Sequence, residues 1–258
     1  NRKLIVKKEK LEQEKKILSK SKDKSNFEKS KKISEKILKI SKNQTIAQKN
    51  IDNLLNIMPN LSLDDVPVGK DENSNKLISQ NGKIRQFSFK PKSHVEIGLI
   101  DNAIDFDTST KLSGSRFVVL KDRIALLERA LINFMIDTHT EKFNYTEISP
   151  PIIVNENAMY GTGQLPKFEM DQYEIKTDKE DLRKFLIPTA EVSLTNLVRE
   201  TILDIKDLPL RYVASTPCFR KEAGSYGKDT KGMMRQHQFY KVELVSIVNP
   251  KDCAKELD

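Results

Sequence analysis

Two stretches that alternate apolar and polar residues, Arg211–Cys218 and Gln236–Val248, read as neighbouring strands. Between them come Phe219-Arg220-Lys221-Glu222 and a glycine- and lysine-bearing loop, Ala223–Met234, which is too long for a tight hairpin turn. Side chains alternate along a strand, so Arg235, Phe239 and Glu243 are expected on one face at intervals of about 13 Å. A cation, an aromatic ring and a carboxylate in that order could hold a phosphate, a stacked base and an ammonium group. The same pattern also suits a charged, solvated strand face, and alternation alone does not separate the two. His237 in this stretch is expected to be structural. Cys218 reads as a small buried residue and not as a nucleophile.

The segments upstream are of the kind that could position such a pair of strands. Asp122 to His139 carries Ile124, Leu127, Leu131, Phe134 and Met135, the spacing of a long amphipathic helix. Tyr145–Val154 is strand-like but interrupted by Pro150-Pro151, which confines it to an edge or an interface. Helix followed by strands, with no βαβ alternation, predicts an α+β fold around an antiparallel sheet. Residues 60–95 are polar and broken by Pro67, Gly69, Gly82 and Pro91, and are expected to form a linker with one or two short strands, for example at Gln86-Phe87-Ser88-Phe89.

The first 56 residues differ from the rest in charge and in period. They hold 17 Lys+Arg against 7 Asp+Glu, a net of +10, whereas the remainder holds 28 against 30, a net of −2. Leu4, Leu11 and Leu18 repeat every seven residues, and Ile33, Ile37, Ile40, Gln44, Ala47, Ile51 and Leu54 follow the alternating spacing of a coiled-coil seam. Ser25-Asn26-Phe27-Glu28 reads as a capping box and Met58-Pro59 as a stop. These features predict an antiparallel helical hairpin, an arm of roughly 45 Å. A basic arm of this kind attracts polyanions such as a nucleic-acid backbone, and a lysine-rich solvated face would have the same composition.

Composition sets the outer limits. The 258 residues carry 45 Lys+Arg and 37 Asp+Glu, and no run of about 18 apolar residues suggests a membrane span. Cys218 and Cys253 form no CxxC pair, and His94 and His139 have no cluster at metal spacing, so neither a disulfide framework nor zinc is expected. The chain has no initiator Met and no signal-peptide layout, and it is expected to be cut from something longer in a reducing cytoplasm.

The stretch Phe219-Arg220-Lys221-Glu222-Ala223-Gly224-Ser225, running to Arg235-Gln236-His237-Gln238-Phe239 and Lys241-Val242-Glu243, resembles motif 2 of class II aminoacyl-tRNA synthetases, and in detail that of the seryl-tRNA synthetases. Thr189-Ala190-Glu191 resembles that family's serine-binding tripeptide. Gly161–Phe168, Leu112–Phe117 and Pro67–Asn73 match further family stretches in order, and the helix near 122–139 with Pro151 resembles the dimer-forming motif 1.

What this resemblance implies is a serine–tRNA ligase that activates L-serine with ATP, using Mg2+, and passes the acyl group to tRNA(Ser), with tRNA(Sec) as a further acceptor. Arg220 would be the catalytic residue, holding the α-phosphate. Glu222 would accept from the adenine amino group, Phe239 would stack on adenine, Arg235 would meet the outer phosphates, and Lys221 falls among the ATP-binding residues. Thr189, Ala190, Glu191 and Glu243 would form the serine site, with Glu243 on the ammonium. No metal ligand is expected within these residues. The implied organisation is a tRNA-binding arm at 1–58, a linker at 59–95 and a partial catalytic domain at 96–258, in a cytoplasmic homodimer with no membrane contact. Family relatives that charge a carrier protein lack the arm; a catalytically inert scaffold on the same fold is the other alternative. Lys221, Tyr240 and Asn144 depart from the family's usual Ser, acidic residue and Gly. Lys221 and Tyr240 are expected to point away from the site, and Asn144 to keep the left-handed turn. The third class II motif, with its arginine, and the later acidic metal-binding residues would lie beyond Asp258, so these residues alone are not expected to complete adenylation.

Overall fold

The computed structural model describes residues 1–20, 24–100, 102–178, 182–223 and 232–257, with the main chain only at 24 and 25. They fall into two compact units, Asn1–Leu77 and Ile78–Asp258.

The first unit is built on α1 (Arg2–Leu18) and α2 (Lys24–Ile57). The two run antiparallel: Asn1 at the start of α1 donates its side-chain amide to Gln48 Oε1 of α2 across 2.7 Å. Ile33 and Ile40 are buried in the seam, and Ile37, Gln44, Ala47, Leu4, Leu11 and Leu18 are half-buried along it. Ile51 and Leu54 of the same series are exposed, because α1 reaches only as far as Gln48 and leaves them uncovered. At 34 residues α2 is about 51 Å long. It ends at Ile57, immediately before Met58-Pro59. The capping box at Ser25 falls on a side chain outside the described residues, and α2 begins one residue earlier, at Lys24.

Between α2 and residue 93 the described chain forms no strand, contrary to expectation; its single regular element is a 3-10 turn, Glu72–Ser74, capped by Asp71. Gln86–Phe89 has no neighbouring strand to complete a ladder. Its rings turn toward each other instead, with Phe87 and Phe89 centroids 5.2 Å apart and the Arg85 guanidinium over Phe87.

The second unit opens with α3 (His94–Gly98), started by a complete Ser93/Glu96 capping box. Next come β1 (Ile104–Asp105), α4 (Phe106–Ser113) and β2 (Val119–Leu120), with β1 and β2 antiparallel. Asp105 caps α4 through the Thr108 N–H and pairs with Lys121 at 2.5 Å. The long helix α5 (Asp122–Phe143) extends four residues past the expected end and stops at Asn144, whose φ of 58° is left-handed. Asn supplies that conformation more cheaply than other non-glycine residues, as expected of this position.

The strand-like stretch after α5 divides around its prolines. Its first part is β3 (Thr146–Glu147) and its second β4 (Ile153–Asn155), and each lies at the edge of a different sheet. After α6 (Glu156–Gly161), strands β5 (Glu174–Ile175) and β6 (Lys184–Leu186) complete an antiparallel sheet in the order β4-β6-β5. A short helix α7 (Glu191–Thr195) leads to β7 (Leu210–Phe219) and β8 (Gln238–Ile247), a ten-residue antiparallel pair, and α8 (Cys253–Leu257) follows. The edge strand β3 runs parallel to β7, the one parallel pairing among the described residues of an otherwise antiparallel α+β fold. Met159, Phe185, Ile187 and Val192 form one core cluster, and Ala190, Leu194 and Ala214 tie α7 to β7 in a second.

Candidate active site

The β7/β8 register sets the site. Cys218 pairs with Phe239 and Ala214 with Glu243, so Phe239 and Glu243 stand on one half-buried face with Lys241 between them, while Tyr240 and Leu244 face solvent. Arg235 lies outside the strand: β8 begins at Gln238, and the bent segment before it carries Arg235 into a cleft that it lines with Thr189, Arg220 and Glu222. The three-residue ladder expected from alternation is therefore a two-residue ladder plus a loop arginine.

Beyond β7 the chain stays anchored to its partner. Arg220 N–H donates to the His237 carbonyl at 3.0 Å, and His237 Nδ1 lies 3.0 Å from the Arg220 carbonyl. The His237 ring packs between Phe117 and Tyr173, the structural role expected of it. These contacts aim the Arg220 side chain: its guanidinium carbon lies 5.2 Å from the Phe239 ring centroid, and Nε donates to the Pro188 carbonyl at 3.2 Å.

Glu222 follows with φ of 50°. A left-handed conformation costs a non-glycine residue roughly 1–2 kcal/mol, so its surroundings must hold it. Arg235 Nη1 donates to Glu222 Oε2 at 2.9 Å, Arg116 Nη1 donates to the Glu222 carbonyl at 3.3 Å, and Asp171 receives N–H groups on both sides of it, as described below. Asp171, Gln172, Thr189, Arg220, Glu222 and Arg235 line a cleft of about 290 Å³. Two buried polar atoms there, Gln172 Oε1 and Arg235 Nε, have no hydrogen-bond partner among the described residues. Two guanidinium groups, Arg220 and Arg235, lining one cleft suit the charge and geometry of a polyphosphate.

At the other end of the face, Glu243 receives the Thr189 hydroxyl at 2.5 Å and pairs with Lys241. Thr189 in turn accepts the Glu191 N–H at 3.2 Å. Thr189 therefore steadies the start of α7 from two residues ahead of it while orienting a carboxylate, although Ala190 occupies the N-cap position itself. Ala190 is fully buried in the core with Leu194 and Ala214 and does not line the cleft. Glu191 stands exposed at the first turn of α7. Lys221 turns away, its ammonium over the Tyr173 ring at 5.7 Å. Burial raises the pKa of the Cys218 thiol, keeping it neutral and inert.

Asp171, Gln172, Arg116 and Lys241 were not among the expected site residues. Arg116 sits in the Leu112–Phe117 stretch and Asp171 three residues after Gly161–Phe168, so the signal was proximity to those stretches and no more. No group of three or more His, Cys, Asp or Glu among the described residues could hold a metal ion, and no step is assigned to Mg2+.

Residues 171–258 match the family model for the tRNA synthetase class II core domain (G, H, P, S and T). The chain is 61% identical over 258 residues to the serine–tRNA ligase of Pelagibacter ubique, covering all of this chain and 62% of that protein. It is 55% identical over 232 residues to the serine–tRNA ligase of Ehrlichia canis, covering 90% of this chain and 53% of that protein. Among solved structures, seryl-tRNA synthetase from Pyrococcus horikoshii complexed with ATP superposes with a TM-score of 0.83 at 35% identity, over 99% of this chain and 62% of that one. The cytoplasmic serine–tRNA ligase of Naegleria fowleri in complex with AMP gives 0.80 at 27% identity, over 99% and 60%. The paired strands, the cleft and these matches define a class II tRNA synthetase core. The chain spans about three-fifths or less of the length of the relatives it matches. Within the class, the relatives and solved structures it matches are serine–tRNA ligases and seryl-tRNA synthetases.

Proposed function

We propose that this chain is the arm and the first part of the catalytic domain of a cytoplasmic serine–tRNA ligase. One observation carries the reading: the two motif arginines, Arg220 and Arg235, converge with Thr189 on a single cleft. The reaction is attack of a serine carboxylate oxygen on the ATP α-phosphorus, forming the acyl–phosphate bond as the bond to the bridging oxygen breaks and pyrophosphate leaves. A carboxylate is already ionised at neutral pH, so the step needs no general base; it needs in-line placement and neutralisation of the phosphoryl oxygens. Arg220 supplies that charge beside the Phe239 ring on which adenine stacks. Arg235 exchanges its contact with Glu222 for the outer phosphates, which frees Glu222 to accept from the adenine amino group. Glu243, oriented by Thr189, takes the serine ammonium, and Glu191 closes the amino-acid side. Hydrogen-bonding groups around the serine hydroxyl penalise alanine, because they would be left unpaired.

Residues 1–58 form the arm, which binds tRNA(Ser) through its phosphates, and 59–95 link it to the catalytic domain from 96 onward. The net +10 of residues 1–56 supports the arm's role and argues against a carrier-protein substrate. The apolar face of α5 supports a homodimer. In the complete gene product, Arg220→Ala abolishes serine-dependent ATP–pyrophosphate exchange, and retained exchange rules out its phosphate role. Deletion of residues 1–56 spares exchange and collapses tRNA charging; if charging survives, the hairpin is not the tRNA arm.

A further inference from the structure

Glu222 sits between two hydrogen bonds to one residue. The Lys221 N–H donates to the Asp171 carbonyl at 2.9 Å, and the Ala223 N–H donates to Asp171 Oδ1 at 2.7 Å. Asp171 thus takes the main-chain donors immediately before and after Glu222, and the residue between them is the one with φ of 50°. Its own footing is firm. Asp171 ends a 3-10 turn, Glu169–Asp171, whose last N–H donates to the Phe168 carbonyl at 3.0 Å. The Arg183 guanidinium binds Glu169 at 2.5 Å, Glu174 at 2.8 Å and Glu156 at 2.7 Å, locking that turn to β5 and α6.

We propose that Asp171 is the positioning residue for Glu222: its carbonyl and its carboxylate together hold Glu222 in the left-handed conformation that points its carboxylate into the cleft, and so set the preference for a 6-aminopurine nucleotide. The proposal rests on the reading of Glu222 as the acceptor for the adenine amino group. A carboxylate accepts from a 6-amino group and repels a 6-oxo group, so loss of its placement shows first as loss of discrimination between purines. With Asp171 shortened, the Ala223 N–H loses its charged acceptor and Glu222 relaxes toward ordinary backbone angles.

The test compares ATP with inosine triphosphate in the complete gene product, by direct binding and by exchange. Asp171→Ala weakens ATP binding about tenfold, leaves inosine triphosphate unchanged and keeps the serine KM within about twofold. Asp171→Asn, which retains an oxygen acceptor at the same place, restores the preference. An equal loss for both nucleotides and serine in Asp171→Ala, or an intact preference for ATP, overturns the proposal. Hydrogen exchange on the unmodified protein is a second measure that does not depend on a folded variant: the Ala223 amide is protected without nucleotide, and fast exchange there overturns the proposal. An unmodified protein that prefers ATP but shows no serine-dependent exchange would sink the ligase reading and leave the role of Asp171 standing. One with no preference for ATP overturns the role itself.

Discussion

The Thr189 hydroxyl donates to Glu243 Oε2 at 2.5 Å, joining the start of α7 to the middle of β8 across 54 residues of sequence. Thr189 is 4% exposed, and the same oxygen accepts the Glu191 N–H, so one buried hydroxyl fixes a carboxylate and a helix start together. In the serine site proposed above, a carboxylate oriented before the amino acid arrives would spend no binding energy on being ordered. Thr189→Val keeps the shape and removes both bonds. It is expected to cost about 1–3 kcal/mol in stability and to raise the serine KM about tenfold, with the ATP KM little changed. Urea denaturation and the substrate dependence of pyrophosphate exchange measure these; a matching rise in both KM values would show that Thr189 acts only through the fold.

Helix α5 leaves Leu127, Leu131 and Phe134, one face at i, i+4 and i+7, 52%, 48% and 65% exposed. Three large apolar side chains in a row on a helix suit the homodimer proposed above, in which a second copy of the chain would cover them. Leu131→Glu in the complete gene product is expected to convert a dimer to a monomer in sedimentation velocity at micromolar concentration. An unchanged dimer would place the interface elsewhere.

Asn144 ends α5 at φ 58° and ψ 37°. Asn144→Gly is expected to be neutral or stabilising by about 0.5 kcal/mol, because glycine reaches this region without a side-chain penalty. Asn144→Val is expected to cost at least about 1–2 kcal/mol. Thermal melts of the three proteins give the order Gly, Asn, Val; a Val variant as stable as the parent would mean the turn had rearranged.

Arg211 holds Glu256 through two bonds, Nε to Oε1 at 2.6 Å and Nη2 to Oε2 at 2.7 Å. The Arg211 guanidinium, with a smaller share from the Ser246 hydroxyl, lowers the Glu256 pKa from 4.5 to about 2. A depressed carboxylate contributes stability that is fully present above its unfolded pKa and lost as the pH falls toward the folded one. The stability difference between the parent and Arg211→Met is therefore expected to be constant above pH 4.5 and to shrink between 4.5 and about 2. Denaturant midpoints across that range decide it; a difference independent of pH would mean that the arginine contributes packing alone.

Much of this architecture was legible in near-neighbour patterns. The 4,3 spacing of Ile33, Ile37 and Ile40 specifies a helical seam, and Met58-Pro59 ends it, because both depend on residues within a turn or two. Alternation on either side of 219–235 specifies two strands and places Phe239 with Glu243. The short strands expected around Gln86–Phe89 did not form, since alternation cannot provide the second strand that a ladder requires.

What only the tertiary structure decided is how distant residues meet. Asp171 reaches Ala223 across 52 residues, Thr189 reaches Glu243 across 54, and Arg116 reaches Glu222 across 106. A bend, and not a strand, brings Arg235 into the cleft. Local propensity and side-chain period are set by covalent neighbours and can be read along the chain. Hydrogen bonds between separate elements depend on sheet register and core packing, which exist only once the chain has folded.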